Sequence, residues 1–261
     1  MGHKRIDKLL EPAARALSAR LLPFYRRYPY RGRCSLFKVD PRGAYSPADG
    51  FFYSRVPKAA NTTVTSALAE RSTYRRRFAK AGDVKDAYLR PSYLSARSVR
   101  ALEAGVKFTF VRDPYTRTLS AFSDKILGRR PQARPFTEWF GDWPDDAPPG
   151  FADFCRFLDA GGLTLDPHWA PQTDILLLPV AAFDFIGRTE RLEEDLAEVL
   201  TRIFGPTDAR AIESRGRRTG ASDRVAQAYT PEALDIVNRL YARDFRELDY
   251  PVRQTLPATA T

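Results

Sequence analysis

Two short stretches carry side chains suited to holding a phosphate beside a group in transfer. The first is PKAANTT, residues 57–63, one lysine followed by small, amide and hydroxyl residues. The second is RDPYTRTLSAF, residues 112–122, in which Ser120 lies eight positions after Arg112. Lys58 supplies a mobile full charge. Asn61, Thr62 and Thr63 supply side-chain donors, and the backbone of Ala59 and Ala60 completes the turn. Arg112 offers a planar fork to a phosphate, and Ser120 a hydroxyl to the same group. Each has a plainer alternative. Lys58 can be a solvated turn residue, Arg112 can pair with Asp113, and Ser120 can bond back to its own helix.

The elements around these residues decide what they can do. FFYSRV (51–56) and KFTFV (107–111) are apolar and aromatic enough for buried strands. NTTVTSALAE (61–70) reads as a helix capped by Asn61 or Thr62. RDPYTRTLSAFSDKILG reads as a second helix, with Pro114 suited to its first position and Gly128 to its stop. A helix that starts at the carboxyl end of a strand aims unpaired N–H groups and the positive end of its dipole at the crevice there. The Walker A pattern is absent, because the lysine precedes the small-residue run instead of ending it.

Further helices are expected over 95–105, 151–162, 191–205 and 230–248, the last with Thr230 as cap, and a third strand over 183–186. Residues 129–150 read as a proline-containing loop, and its acidic, proline-rich part, 138–149, could form a lid over an acceptor. The alternation of strand and helix predicts an α/β fold, P-loop-like and three-layered, with a central parallel sheet between helices. The expected organisation is an N-terminal amphipathic helix and irregular arm over 1–50, one domain over 51–251, and a flexible tail over 252–261.

Composition sets the outer bounds. The chain has 261 residues and a net charge of +10, with 42 basic side chains against 32 acidic ones. A field of that sign suits a polyanionic ligand. Two cysteines, no CxxC and two histidines argue against a zinc site and a disulfide scaffold, leaving one long-range disulfide open. There is no stretch apolar enough to span a bilayer and no secretory h-region. The expected setting is therefore cytoplasmic. The basic helix at the N-terminus can dock on the protein's own body, the preferred reading, or lie peripherally on a membrane.

Together, PKAANT and RDPYTRTLSAF resemble the carbohydrate-type sulfotransferases, sulfotransferase family 2. DPHWAPQ, FDFIGRTERLEEDL and YTPEALDIVNRLYARDFRELDYP look like later parts of the same family, so the likeness spans roughly residues 51–251. The resemblance implies transfer of a sulfuryl group from 3′-phosphoadenosine 5′-phosphosulfate (PAPS) to a hydroxyl of a carbohydrate or glycolipid, with no metal and no nucleic-acid partner. It implies that Lys58, Ala59, Ala60, Asn61, Thr62 and Thr63 hold the 5′-phosphosulfate, and that Arg112 and Ser120 hold the 3′-phosphate. Arg188 in GRTE would lie near the nucleotide, or else form a structural salt bridge. Arg217, Arg218 and Thr219 sit in a basic loop that could close over the 3′-phosphate.

The family glycine of this loop is Ala60 here. A left-handed alanine costs about 1 kcal/mol or more, so either the position is not left-handed or the loop differs. For the base that takes the acceptor proton, His168 in DPHWAPQ is the candidate, with Asp113 and Asp124 as competitors and His3 remote in the tail. Two other readings stand beside this one. A nucleotide-dependent kinase needs a magnesium-binding carboxylate beyond a strand, and none is evident. A non-enzymatic polyanion binder should tolerate the loss of Lys58.

Overall fold

The computed structural model describes residues 2–72, 88–206 and 221–256, and for 2–10 and 221–224 the backbone alone. Four strands form one sheet in the order β1-β2-β3-β4: β1 (Gly43–Ser46), β2 (Phe51–Ser54), β3 (Val106–Val111) and β4 (Phe185–Arg188). β2, β3 and β4 run parallel, while β1 pairs antiparallel on the outer edge of β2. The sheet is therefore mixed, not purely parallel. The sequence conceals β1 because it is four residues long and set between Pro41–Arg42 and a turn. It also shows that the segment before residue 51 is no separate arm, since β1 belongs to the sheet.

Alternation along β2 explains why both faces need helices. Phe51 and Tyr53 face one way, with Tyr53 stacked on Phe108 at 4.6 Å between ring centroids, and Phe52 faces the other. On the first face lie α4 (Asn61–Arg71), through Val64 and Leu68, and α9 (Leu192–Phe204), through Leu196, Val199 and Leu200. On the second lie α5 (Ala96–Ala104), α6 (Pro114–Ala121) and α8 (Phe151–Phe157), together with α11 (Pro231–Leu240) and α12 (Ala242–Glu247). The three-layer expectation holds.

Several helices end sooner than periodicity predicts. The helix from Pro114 changes to a π-helical turn over Phe122–Leu127. The one from Phe151 does the same at Leu158, and Gly161 then adopts φ 103°. The closing helix breaks at Tyr241, between α11 and α12. The 129–150 loop holds a short helix, α7 (Arg134–Phe140), whose Phe136 is fully buried.

The N-terminal helix α1 (Gly2–Leu21) is followed by α2 (Pro23–Arg27) and α3 (Leu36–Val39). Arg15 of α1 donates to the carbonyls of Gly32 and Cys34, and Glu11 accepts from Ser35 Oγ and Leu36 N. This half of the helix is docked on the body. α10 (Ala221–Ala228) precedes α11. Beyond it, Arg253 is tied at both backbone groups, to Tyr115 Oη and Asn238 Nδ2, so the expected free tail does not begin at 252. Cys34 and Cys155 are buried free thiols, and the disulfide left open is not formed. Among the described residues no helix is long and apolar enough to cross a membrane.

Candidate active site

The central strand β2 ends in the turn Pro57–Ala60, which leads directly into α4. Lys58 has φ 68° and Ala60 φ 52°, both left-handed. Neither is glycine, so each position carries strain of about 1–2 kcal/mol. Ala60, not Asn61 or Thr62, is the residue before the helix, and it has no side chain to cap it. The amides of Asn61, Thr62 and Thr63 form the first turn of α4, where no intrahelical acceptor exists. Asn61 is already helical, and Thr65 Oγ1 donates to its carbonyl at 2.6 Å.

β3 ends beside this turn, because it pairs in parallel with β2 up to Ser54↔Thr109. Thr109 Oγ1 donates to the Ser54 carbonyl at 2.7 Å and fastens the two strands at that end. Arg112 follows. Its Nη1 donates to the Lys58 carbonyl at 3.4 Å and its Nε to Thr116 Oγ1 at 3.0 Å. The backbone of Arg112 is bonded at both groups by the Gln172 side chain, at 2.9 and 2.8 Å, much as a neighbouring strand would do. Thr116 and Ser120 are four residues apart on α6, hence on one face. Ser120 is half-buried and makes no side-chain hydrogen bond among the described residues.

Asp113 is not placed as a base. Its Oδ1 accepts from the Thr116 amide at 2.8 Å and caps α6, and its own amide donates to Glu190 Oε1 at 2.8 Å. Burial raises its carboxyl above the usual range, against the helix amide that lowers it. Asp124 is a poor base for the opposite reason. Burial would raise it, but hydrogen bonds from Lys58 and Lys125 override this and hold it at about 2.

His168 lies in a segment without regular structure, 166–171, yet its neighbours Trp169 and Ala170 are fully buried. Arg117, 1% exposed, explains the placement. It donates to the carbonyls of Pro57 at 3.0 Å, Ala170 at 2.7 Å and Pro167 at 3.0 Å. One buried guanidinium thus clamps the lysine turn to the histidine segment. Asp166 Oδ1 lies 2.6 Å from His168 Nδ1 and also accepts the His168 amide at 2.9 Å. This fixes the ring with Nε2 unbonded among the described residues. Burial lowers the imidazole below its ordinary value, and Asp166 raises it only in part.

Asp244, fully buried, accepts from the amides of Gln172 at 2.7 Å and Thr173 at 2.9 Å, and from Thr173 Oγ1 at 2.7 Å. It thereby seats the residue that holds Arg112. Arg188 makes contacts within the protein. Its guanidinium donates to the carbonyls of Leu248 and Asp249 and lies over the Tyr250 ring at 4.5 Å. Arg217, Arg218 and Thr219 lie outside the described residues. Among the described residues no cluster of His, Cys, Asp and Glu could hold a metal ion.

The site is thus a strained lysine turn before an uncapped helix, an arginine bonded to that turn, and an oriented histidine clamped alongside. In α/β folds, a helix that starts beyond the carboxyl end of a parallel strand is where anionic groups commonly bind. The sulfotransferase family model matches residues 42–251, and the chain belongs to that family. Carbohydrate sulfotransferase 14 of Mus musculus and of Homo sapiens are each 29% identical over 178 residues, covering 63% of this chain and 46% of theirs. The Danio rerio protein of that name is 30% identical over 115 residues, covering 40% and 31%. The chain spans less than half the length of these curated relatives. No solved structure matches.

Proposed function

We propose that the chain is a sulfotransferase that uses PAPS to sulfate a hydroxyl of a carbohydrate. The observation that carries this reading is the bond from Arg112 Nη1 to the Lys58 carbonyl. It joins the two anion-binding turns into one cradle at the carboxyl end of the sheet. PAPS would supply an activated sulfuryl group between two phosphate-bearing ends. The amides and side chains of Asn61, Thr62 and Thr63, with the turn at Ala59–Ala60, would hold the 5′ end. Arg112 and Ser120 would hold the 3′-phosphate. Lys58 would stabilise charge on the oxygen released as the S–O bond breaks. His168 Nε2 would take the proton of the attacking hydroxyl, with Asp166 holding the tautomer. Positioning and fixed charge would supply most of the acceleration. A lipid-linked sugar falls within the same class of acceptor.

Calorimetric titration with 3′-phosphoadenosine 5′-phosphate, the spent donor, tests the reading, with ATP as control. The expected result is micromolar binding that weakens about 10- to 100-fold in Arg112→Ala, the loss of a hydrogen bond to a charged group. Equal binding of ATP would bring the kinase reading forward, and no binding of either would remove the donor. A pH profile tests the base. His168 is held below its ordinary value, so activity should be lost only as pH falls beneath the usual histidine range. Asp166→Asn removes the charge that opposes burial, so that limb should move further toward acid. A profile with no such limb would exclude His168.

A further inference from the structure

The cradle leaves one strong contact unexplained. Lys58 Nζ donates to Asp124 Oδ2 at 2.9 Å. The same oxygen takes Lys125 Nζ at 3.1 Å, and Asp124 Oδ1 lies 3.9 Å from Arg130 Nε. Both lysine side chains are nearly enclosed, 17% and 15% exposed, whereas Asp124 is 36% exposed. Three cations thus converge on one carboxylate, where the cradle must accept a polyanion. A carboxylate there opposes donor binding. Its presence calls for a compensating role.

The backbone points the same way. Asp124 stands in the π-helical turn Phe122–Leu127, immediately after the regular α6. Such a turn inserts a residue into the helix, weakens its hydrogen bonding and shifts the direction of every later side chain. Here it delivers Asp124 to Lys58, 66 residues earlier in the chain. Lys58 is itself held at φ 68°, so both partners are presented by irregular backbone. Arg130 continues the line outward, into a cavity of about 530 Å³ that Arg129, Arg134 and Trp143 also line.

We propose that Asp124 is a positioning residue for Lys58. It fixes the ammonium at the mouth of the turn before the donor arrives, at the expense of donor affinity. This rests on the sulfotransferase reading. A four-carbon side chain on a strained turn has many rotamers, and one carboxylate contact removes most of them. When a sulfonate and phosphate enter, the ammonium has three donors and can keep one on Asp124 while turning two inward. Asp124 touches neither reacting atom in this scheme.

The test is a split between binding and turnover in Asp124→Ala and Asp124→Asn. Binding is measured with 3′-phosphoadenosine 5′-phosphate. Turnover is measured as its release from PAPS, with a glycan panel or water as acceptor. Removal of a negative charge beside the cradle should tighten binding about three- to tenfold in both variants. Turnover should fall about tenfold or more in Asp124→Ala, and less in Asp124→Asn, whose amide oxygen still accepts from Lys58. Binding that weakens or stays level in a folded variant overturns the proposal, as does undiminished turnover in Asp124→Ala. If Asp124→Ala does not fold, the smaller split in Asp124→Asn decides. Failure of the wild-type protein to bind the nucleotide would instead remove the donor reading itself.

Discussion

β2 with α4 and β3 with α6 are the same unit used twice, a parallel strand that turns into a helix at one edge of the crevice. They treat the start of the helix in opposite ways. The second is closed by its own residues. Asp113 caps it, Pro114 takes the first position, and the Asp113 amide goes to Glu190. The first is left open. Ala60 cannot cap, two residues sit left-handed, and the first amides of α4 have no helical acceptor. In the closed unit a side chain finishes the start of the helix, whereas in the open one no side chain of the N-cap residue does.

The contrast can be broken at four points. Arg117→Leu should be the most damaging. It strips three buried carbonyls of their partner and releases the open turn from the histidine segment. A loss of at least about 3 kcal/mol is expected, seen as a lower denaturation midpoint. Lys58→Met should leave the fold intact and lower turnover by about 10²–10³, the scale of removing one charge-stabilising donor. An effect confined to nucleotide affinity would show that Lys58 binds without assisting transfer.

Asp113→Ala would make the closed unit resemble the open one. Loss of the cap should cost about 1 kcal/mol by thermal melting, and nucleotide binding should change little unless Arg112 moves with it. Ala60→Gly sharpens the comparison from the other side. Relief of the left-handed strain, partly offset by a freer unfolded chain, should stabilise the protein by about 1 kcal/mol or less. A destabilised Ala60→Gly would mean that the turn tolerates alanine without strain.

The two units were legible in the residues, but the contrast between them was not, since Asn61 or Thr62 reads as a cap for α4 and Ala60 stands there instead. PKAANTT and RDP announce two turns after buried strands, and both turns follow neighbouring parallel strands, β2 and β3. What escaped was whatever acts over long separations or through backbone conformation. Arg117 looks in sequence like any solvated arginine, and its burial follows only once Pro57, Pro167 and Ala170 turn their carbonyls toward it. Gln172 serves as a surrogate strand for Arg112 only because Asp244 seats it, a relation across 72 residues. The Asp166–His168 pair is local, and the spacing of two could have flagged it. The π-helical turns carry no periodic signal, because the apolar residues on either side still read as one helix. The short helix Arg134–Phe140 was hidden by prolines on both sides.

The clamp by Arg117 has a consequence for the order in which this molecule comes together. The contacts that close the site join positions 50 to 72 residues apart: Arg117 to Pro57 and Pro167, Gln172 to Arg112, and Asp244 to Gln172. Loops of that length must be closed before any of these bonds forms, and the entropy of closure comes first. The strands and helices can therefore appear early, and nucleotide affinity should emerge in the last kinetic phase of refolding. A ribosome-bound chain that ends before Asp244 would hold both turns and still lack the seat for Gln172.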